Sequence, residues 1–114
     1  MKKVFDLAGR VLREGGETVL GLKDLGTHAC YLIYGVLEPG GEPRVLKPGD
    51  GHEEIILAVS GSMQVQGSEG SLTLQPGQAV YLQGAETWQA TALGPGQACY
   101  VAAGGHTPGQ EHSH

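Results

Sequence analysis

Apolar and polar positions alternate along this chain in short stretches of period two, the repeat of a half-buried strand. Such runs cover Glu17 to Lys23, Thr27 to Glu38, Glu53 to Ser60, Ser62 to Gln66, Ser71 to Gln75, Gln78 to Gln83, Thr87 to Leu93 and Gln97 to Ala103. Between them Pro-Gly recurs at Pro39-Gly40, Pro48-Gly49, Pro76-Gly77, Pro95-Gly96 and Pro108-Gly109, pairing a fixed negative φ with a residue free to take a positive one. Strands punctuated by turns predict an all-β sandwich or closed barrel. One stretch, Asp6 to Arg13, predicts a short helix, with Asp6 as its cap and Leu7, Val11 and Leu12 on one face.

Within Glu53 to Ser60, alternation puts Ile55, Leu57 and Val59 on one face and Glu54, Ile56, Ala58 and Ser60 on the other. Both faces are partly apolar, as they are along His28 to Tyr34. Some outer sheet surface therefore needs cover, and a homodimer is the expected partner arrangement.

Composition narrows the picture further. The chain has 114 residues, enough for one modest core and one domain. Hydrophobic residues make up 39% and charged residues 17%, and no apolar run approaches the roughly 20 residues of a membrane-spanning helix. The start, up to Asp6, does not read as a signal peptide, so a cytoplasmic location and no membrane partner are expected. A net charge of -5 with scattered Lys and Arg argues against nucleic acid as a partner. Cys30 and Cys99 lie in apolar runs, which predicts reduced, buried thiols. The expected organisation is one barrel over residues 1–103, with 1–16 as an N-terminal arm, and a flexible tail over 104–114. That tail carries His106, His112 and His114, of which His112 and His114 form the tightest pair for adventitious metal.

The segment from Pro48 to Gly61, PGDGHEEIILAVSG, resembles the first cupin motif, in which two histidines and a glutamate precede a glycine. Glu54 and Gly61 keep that motif's spacing. Gly77, followed by Gln83, Ala85 and Trp88, resembles the second motif in its glycine and spacing, and Leu37 to Gly41 resembles the turn leading into the barrel. The resemblance covers roughly Leu37 to Leu93 and implies a cupin-type double-stranded β-helix, or jelly-roll barrel. It also implies one divalent metal inside the barrel, with Pro48, Asp50, Glu54 and Trp88 at the ligand positions. Proline has no side-chain donor atom and the indole nitrogen only donates, so two of those positions cannot ligate.

Asp50, His52 and Glu54 are spaced by two, so in an extended chain they share a face. They form a candidate substitute cluster for Zn, Mn or Fe, with His28 as a source of a second imidazole. A carboxylate facing the interior must be hydrogen-bonded, paired or metal-bound, which singles out Glu54; Glu53, of opposite parity, faces solvent. Trp88, with Gln83 and Glu86 near the rim, is the candidate wall of a ligand pocket, and small residues at Ala58, Ala90 and Ala92 leave room beside it. Three functions follow: a cupin-like barrel binding a small-molecule ligand without the usual metal, a metal-dependent oxygenase or isomerase using the His/carboxylate cluster, or a non-catalytic structural or regulatory barrel.

Overall fold

The computed structural model describes residues 2–106. Two helices and nine strands follow in the order α1 (Leu7–Arg13), β1 (Glu17–Leu20), α2 (Leu22–Leu25), β2 (Cys30–Leu37), β3 (Arg44–Leu46), β4 (His52–Ser60), β5 (Met63–Gly67), β6 (Gly70–Leu74), β7 (Ala79–Gln83), β8 (Trp88–Ala92) and β9 (Ala98–His106). They form a five-stranded sheet, β1-β2-β9-β4-β7, facing a four-stranded sheet, β3-β8-β5-β6. Every pairing is antiparallel. The expected all-β jelly roll is the fold.

Most boundaries fall where alternation places them, and the differences have local causes. The run from Glu17 stops at Leu20, because Gly21 opens the short helix α2, where the Asp24 carboxylate accepts from the Gly21 amide. Arg44–Leu46 is too short to show alternation and becomes a strand by pairing with β8. Gly104, Gly105 and His106 are no loose tail: they extend β9 and pair with both β2 and β4. Residues 107–114, including His112 and His114, lie outside the described residues. No helix among the described residues is long and apolar enough to cross a membrane.

Helix α1 forms as predicted, with the Asp6 carboxylate accepting from the Gly9 amide. Its anchor is Val11 alone, buried against the outer face of β1 and β2, while Leu12 is exposed. The cysteines also depart from expectation: both are free, Cys30 is exposed and Cys99 half-buried, because their parity puts them on the outer face.

Between the sheets, Ile56, Ala58, Met63, Val65, Leu82, Ala90 and Tyr100 are fully buried, and Leu37, Leu46, Leu74, Ala98 and Ala102 complete the cluster. Tyr100 is its largest member and reaches furthest. Its ring crosses Gly35, its register partner on β2, and its hydroxyl donates to Glu17 Oε2 at 2.9 Å on β1. Arg44 Nη1 donates to the Tyr100 hydroxyl at 3.3 Å and to the Gly16 carbonyl at 3.0 Å, tying β3 of one sheet to the edge of the other. A glycine is required beneath the ring, since a Cβ at Gly35 would stand 2.3 Å from Tyr100 Cζ.

Gly35→Ala should accordingly cost about 1–3 kcal/mol, the usual penalty for overfilling a packed site. Gly96, whose Cβ would meet open space, is the control: Gly96→Ala should be neutral or mildly stabilising. Urea unfolding of the two variants checks the contrast, and equal midpoints would refute the role given to Gly35.

Candidate functional site

One end of the barrel gathers the candidate residues, because β4 and β8 begin there and β7 and β9 end there. Parity then decides which side chains face inward. On β4 the buried series is Glu54, Ile56 and Ala58, as alternation predicts, with Ile55 and Val59 exposed on the outer face. Glu53 shares that outer face, where its carboxylate accepts from the Tyr81 hydroxyl.

Glu54 is only 5% exposed, so its carboxylate must be satisfied from within. The donor is Tyr31, whose hydroxyl reaches Glu54 Oε2 at 2.5 Å. The two residues are not on adjacent strands. Tyr31 pairs with Gly104 on β9, Gly104 pairs with Glu54 on β4, and the phenol ring lies across the bare glycine. A Cβ at Gly104 would be 2.2 Å from Tyr31 Cζ. Burial, and then the hydrogen bond and charge of Glu54, push the Tyr31 hydroxyl above the ordinary tyrosine range, so it stays a donor.

Above this pair, three histidines come together. His52 and His106 are register partners on β4 and β9. His28, in the segment before β2, places Nδ1 2.9 Å from His106 Nε2. Ring centroids are 5.0 Å apart for His28 and His106 and 5.0 Å apart for His52 and His106. The Tyr31 ring lies edge-on to His52 at 5.9 Å. His52 Nδ1 donates to the Asp50 carbonyl at 3.2 Å.

The expected cluster of Asp50, His52 and Glu54 is therefore only partly assembled. Asp50 sits exposed in a turn between Gly49 and Gly51, both with positive φ, and serves through its backbone carbonyl. His28 does join His52, but through His106. Among the described residues, no three His, Cys, Asp or Glu side chains as they stand converge on a point that could hold a metal ion.

Trp88 faces inward on β8 from the opposite sheet. Its ring lies over Gly67, its partner on β5, where a Cβ would be 2.7 Å away. Its indole nitrogen donates to Glu86 Oε1 at 3.2 Å, and the Gln83 amide donates to Glu86 Oε2 at 2.6 Å. Trp88 and Glu86, with Ser68, Glu69, Ala85 and Thr87, line a recess of about 300 Å³ at the rim. Glu54 and the Gln83 side chain do not line it. Nor does the recess extend beside Ala58 and Ala90, because Tyr100, Met63, Ile56 and Leu82 fill that interior.

The strand beside Trp88 is β3, and its inward residues are Arg44 and Leu46, with Leu46 paired to Trp88. Pro48 and Asp50 lie beyond it in the following loop. A guanidinium, an aliphatic chain and an indole offer a cation no donor atom, so the interior metal that the motif resemblance implies does not fit there. Tyr31 and Arg44 went unread in the sequence, and His106 was read only as a tail histidine able to chelate a metal. Tyr31 and His106 are marked only by sharing a face with Gly104 and Glu54 once the strands are in register.

No family model matches the chain, and no curated protein matches it. Solved structures do. A cupin protein from Bacteroides fragilis superposes with a TM-score of 0.72 at 16% identity, covering 96% of this chain and 86% of that one. A Cupin 2 conserved barrel domain protein from Salinispora arenicola gives 0.70 at 15% identity, covering 94% and 91%. An oxalate oxidase gives 0.65 at 20% identity over 80% of this chain, which spans 51% of that protein.

Tyrosine titration tests the site. Burial raises the Tyr100 hydroxyl as well, the Glu17 charge adds to that and Arg44 opposes it. A pKa raised in the folded state stabilises fully below the unfolded value of about 10 and is lost as pH climbs through the folded value. Absorbance at alkaline pH should show Tyr31 and Tyr100 ionising only as the fold is lost, with one fewer such residue in Tyr31→Phe. Ionisation of all four tyrosines in the still-folded protein would contradict it.

Proposed function

We propose that this chain, a cupin by fold, binds a small organic ligand at the barrel rim, in the recess walled by Trp88, and not in the barrel interior. The observation that carries the reading is the contrast between a filled core and an open, aromatic-walled recess. Its volume, about 300 Å³, is at the small end of ligand sites and suits a molecule of few rings. Its lining includes Glu69 and Glu86 and no Lys or Arg. An indole face is negative at its centre, so a flat, positively charged ligand is favoured over an anion. Glu86 supports this by bracing the indole edge and the Gln83 backbone at once, which fixes the wall before a ligand arrives.

Trp88 is the only tryptophan, so its emission reports directly on this recess. Titration with planar organic cations, such as amidinium- or amine-bearing heterocycles, should change that emission saturably and raise the melting temperature. At a hundredfold excess over Kd the added stability is about 2.7 kcal/mol. Glu86→Gln should weaken binding about tenfold, and Trp88→Leu should remove the melting shift. A cation panel that moves neither signal would leave the packed barrel as a structural or regulatory scaffold.

We further propose that a second copy covers the outer face of the five-stranded sheet. The register aligns Leu32, Ala103, Ile55 and Tyr81 in one row and Tyr34, Val101, Leu57 and Ala79 in the next. Ile55 and Tyr81 are each 51% exposed, and these two rows carry no charged side chain. A self-complementary apolar face of this kind suits a twofold dimer. Light scattering should give a dimer mass for the native chain and a monomer for Ile55→Lys. A native monomer at tens of micromolar, about the range of a weak homodimer, would refute it.

A further inference from the structure

We propose that His28, His52 and His106 together bind one divalent first-row transition ion of the Zn(II) type at the mouth of the barrel. The site is separate from the Trp88 recess and from the interior positions that the cupin motifs imply, none of which these histidines occupies.

Three elements bring the rings together: the segment before β2, the start of β4 and the end of β9. His106 is the middle member, with a neighbouring imidazole centred 5.0 Å away on each side. Its Nε2 and His28 Nδ1 lie 2.9 Å apart, so one nitrogen donates to the other and a single proton lies between two lone-pair sites. Two imidazoles on one tetrahedral zinc, each at about 2.0–2.1 Å, place their nitrogens about 3.3 Å apart. An ion replacing that proton thus needs ring shifts of a few tenths of an ångström. It takes the two neutral nitrogens as ligands, and the displaced proton moves by way of solvent to the other nitrogen of its own ring, so both rings stay neutral and no net proton is released.

The third ligand is oriented by the backbone. A carbonyl can only accept, so His52 Nδ1 carries the hydrogen that it gives to Asp50, and the neutral ring keeps its lone pair on Nε2. As the rings stand they do not converge on one point. His52 and His106 are half-buried and His28 exposed, and binding requires their side chains to rotate to close on an ion. Below them Glu54 holds a buried carboxylate two residues along β4 on the same face, which favours a cation at this end. Three imidazoles leave a fourth position for water or a small ligand, as open zinc sites do.

The test uses the full chain, freed of metal by chelator, with His112→Ala and His114→Ala so that the terminal pair cannot compete. Zn(II) calorimetry should give one ion per chain at micromolar or tighter Kd. His28→Gln, His52→Gln and His106→Gln should each weaken binding at least about tenfold, while Asp50→Asn and Trp88→Phe bind as the parent does. Nitrogen-15 correlations of the histidine rings in the parent should show Zn(II) moving the signals of His28, His52 and His106. That measurement needs no variant at the site and stands even if a glutamine variant misfolds. Substoichiometric uptake in the parent, ring signals that do not move, or glutamine variants that bind as tightly as the parent would overturn the proposal. Uptake that disappears with His112 and His114 would assign the metal to the terminus and overturn it too.

Discussion

The barrel depends on a device used twice in its larger sheet: a tyrosine laid flat across a glycine to reach a glutamate one strand further on. Tyr100 crosses Gly35 to Glu17, and Tyr31 crosses Gly104 to Glu54. In each row the glycine is the central residue of three register partners, and any Cβ there would collide with the ring. The first row closes the packed end, since Tyr100 fills the interior and Arg44 joins its hydroxyl to the facing sheet. The second row sets the mouth, because its phenol donates to Glu54, the one buried carboxylate among the described residues.

These rows also explain why the interior differs from what the motifs imply. A phenol of the size of Tyr100, with Met63, Ile56 and Leu82 beside it, takes the volume that a ligand would need. With Arg44, Leu46 and Trp88 as inward neighbours, the polar chemistry moves outward to the rim. There it divides between the sheets. Imidazoles and the Tyr31–Glu54 pair stand on one side, and the indole with its carboxylates stands on the other.

Strand positions, turns and the inward parity of Glu54 were legible in the sequence because each is a local pattern. Alternation over Glu53 to Ser60 carries the burial of Glu54 directly, and the Pro-Gly pairs at Pro39, Pro48 and Pro76 mark turns between strands, each with its glycine at positive φ. What lay outside local pattern was lost. Arg44–Leu46 is shorter than one readable alternation, and Gly104 to His106 looks like a polar tail until β2 and β4 flank it. The same blindness hid the site: His28 and His106 are 78 residues apart, and only the β2–β9 register makes them neighbours. Glu54 could be recognised as needing a partner, but Tyr31 could not be named as that partner from 23 residues away without the intervening strand.

That the motif spacing outlasted the motif ligands has a physical reason. Gly61 has a φ of +70°, and a Cβ there would stand 2.4 Å from the Gln97 carbonyl, so backbone geometry at the tight end of β4 demands glycine whatever the barrel holds. Gly77 likewise has a φ of +90° in the turn before β7. Ligand positions carry no such demand. At Trp88 an indole packs against the core where the motif implies a metal ligand, and its one N–H is satisfied by Glu86. Turn glycines are therefore a reading of fold and the side chains at the mouth a reading of chemistry, and in this chain the two come apart at Trp88.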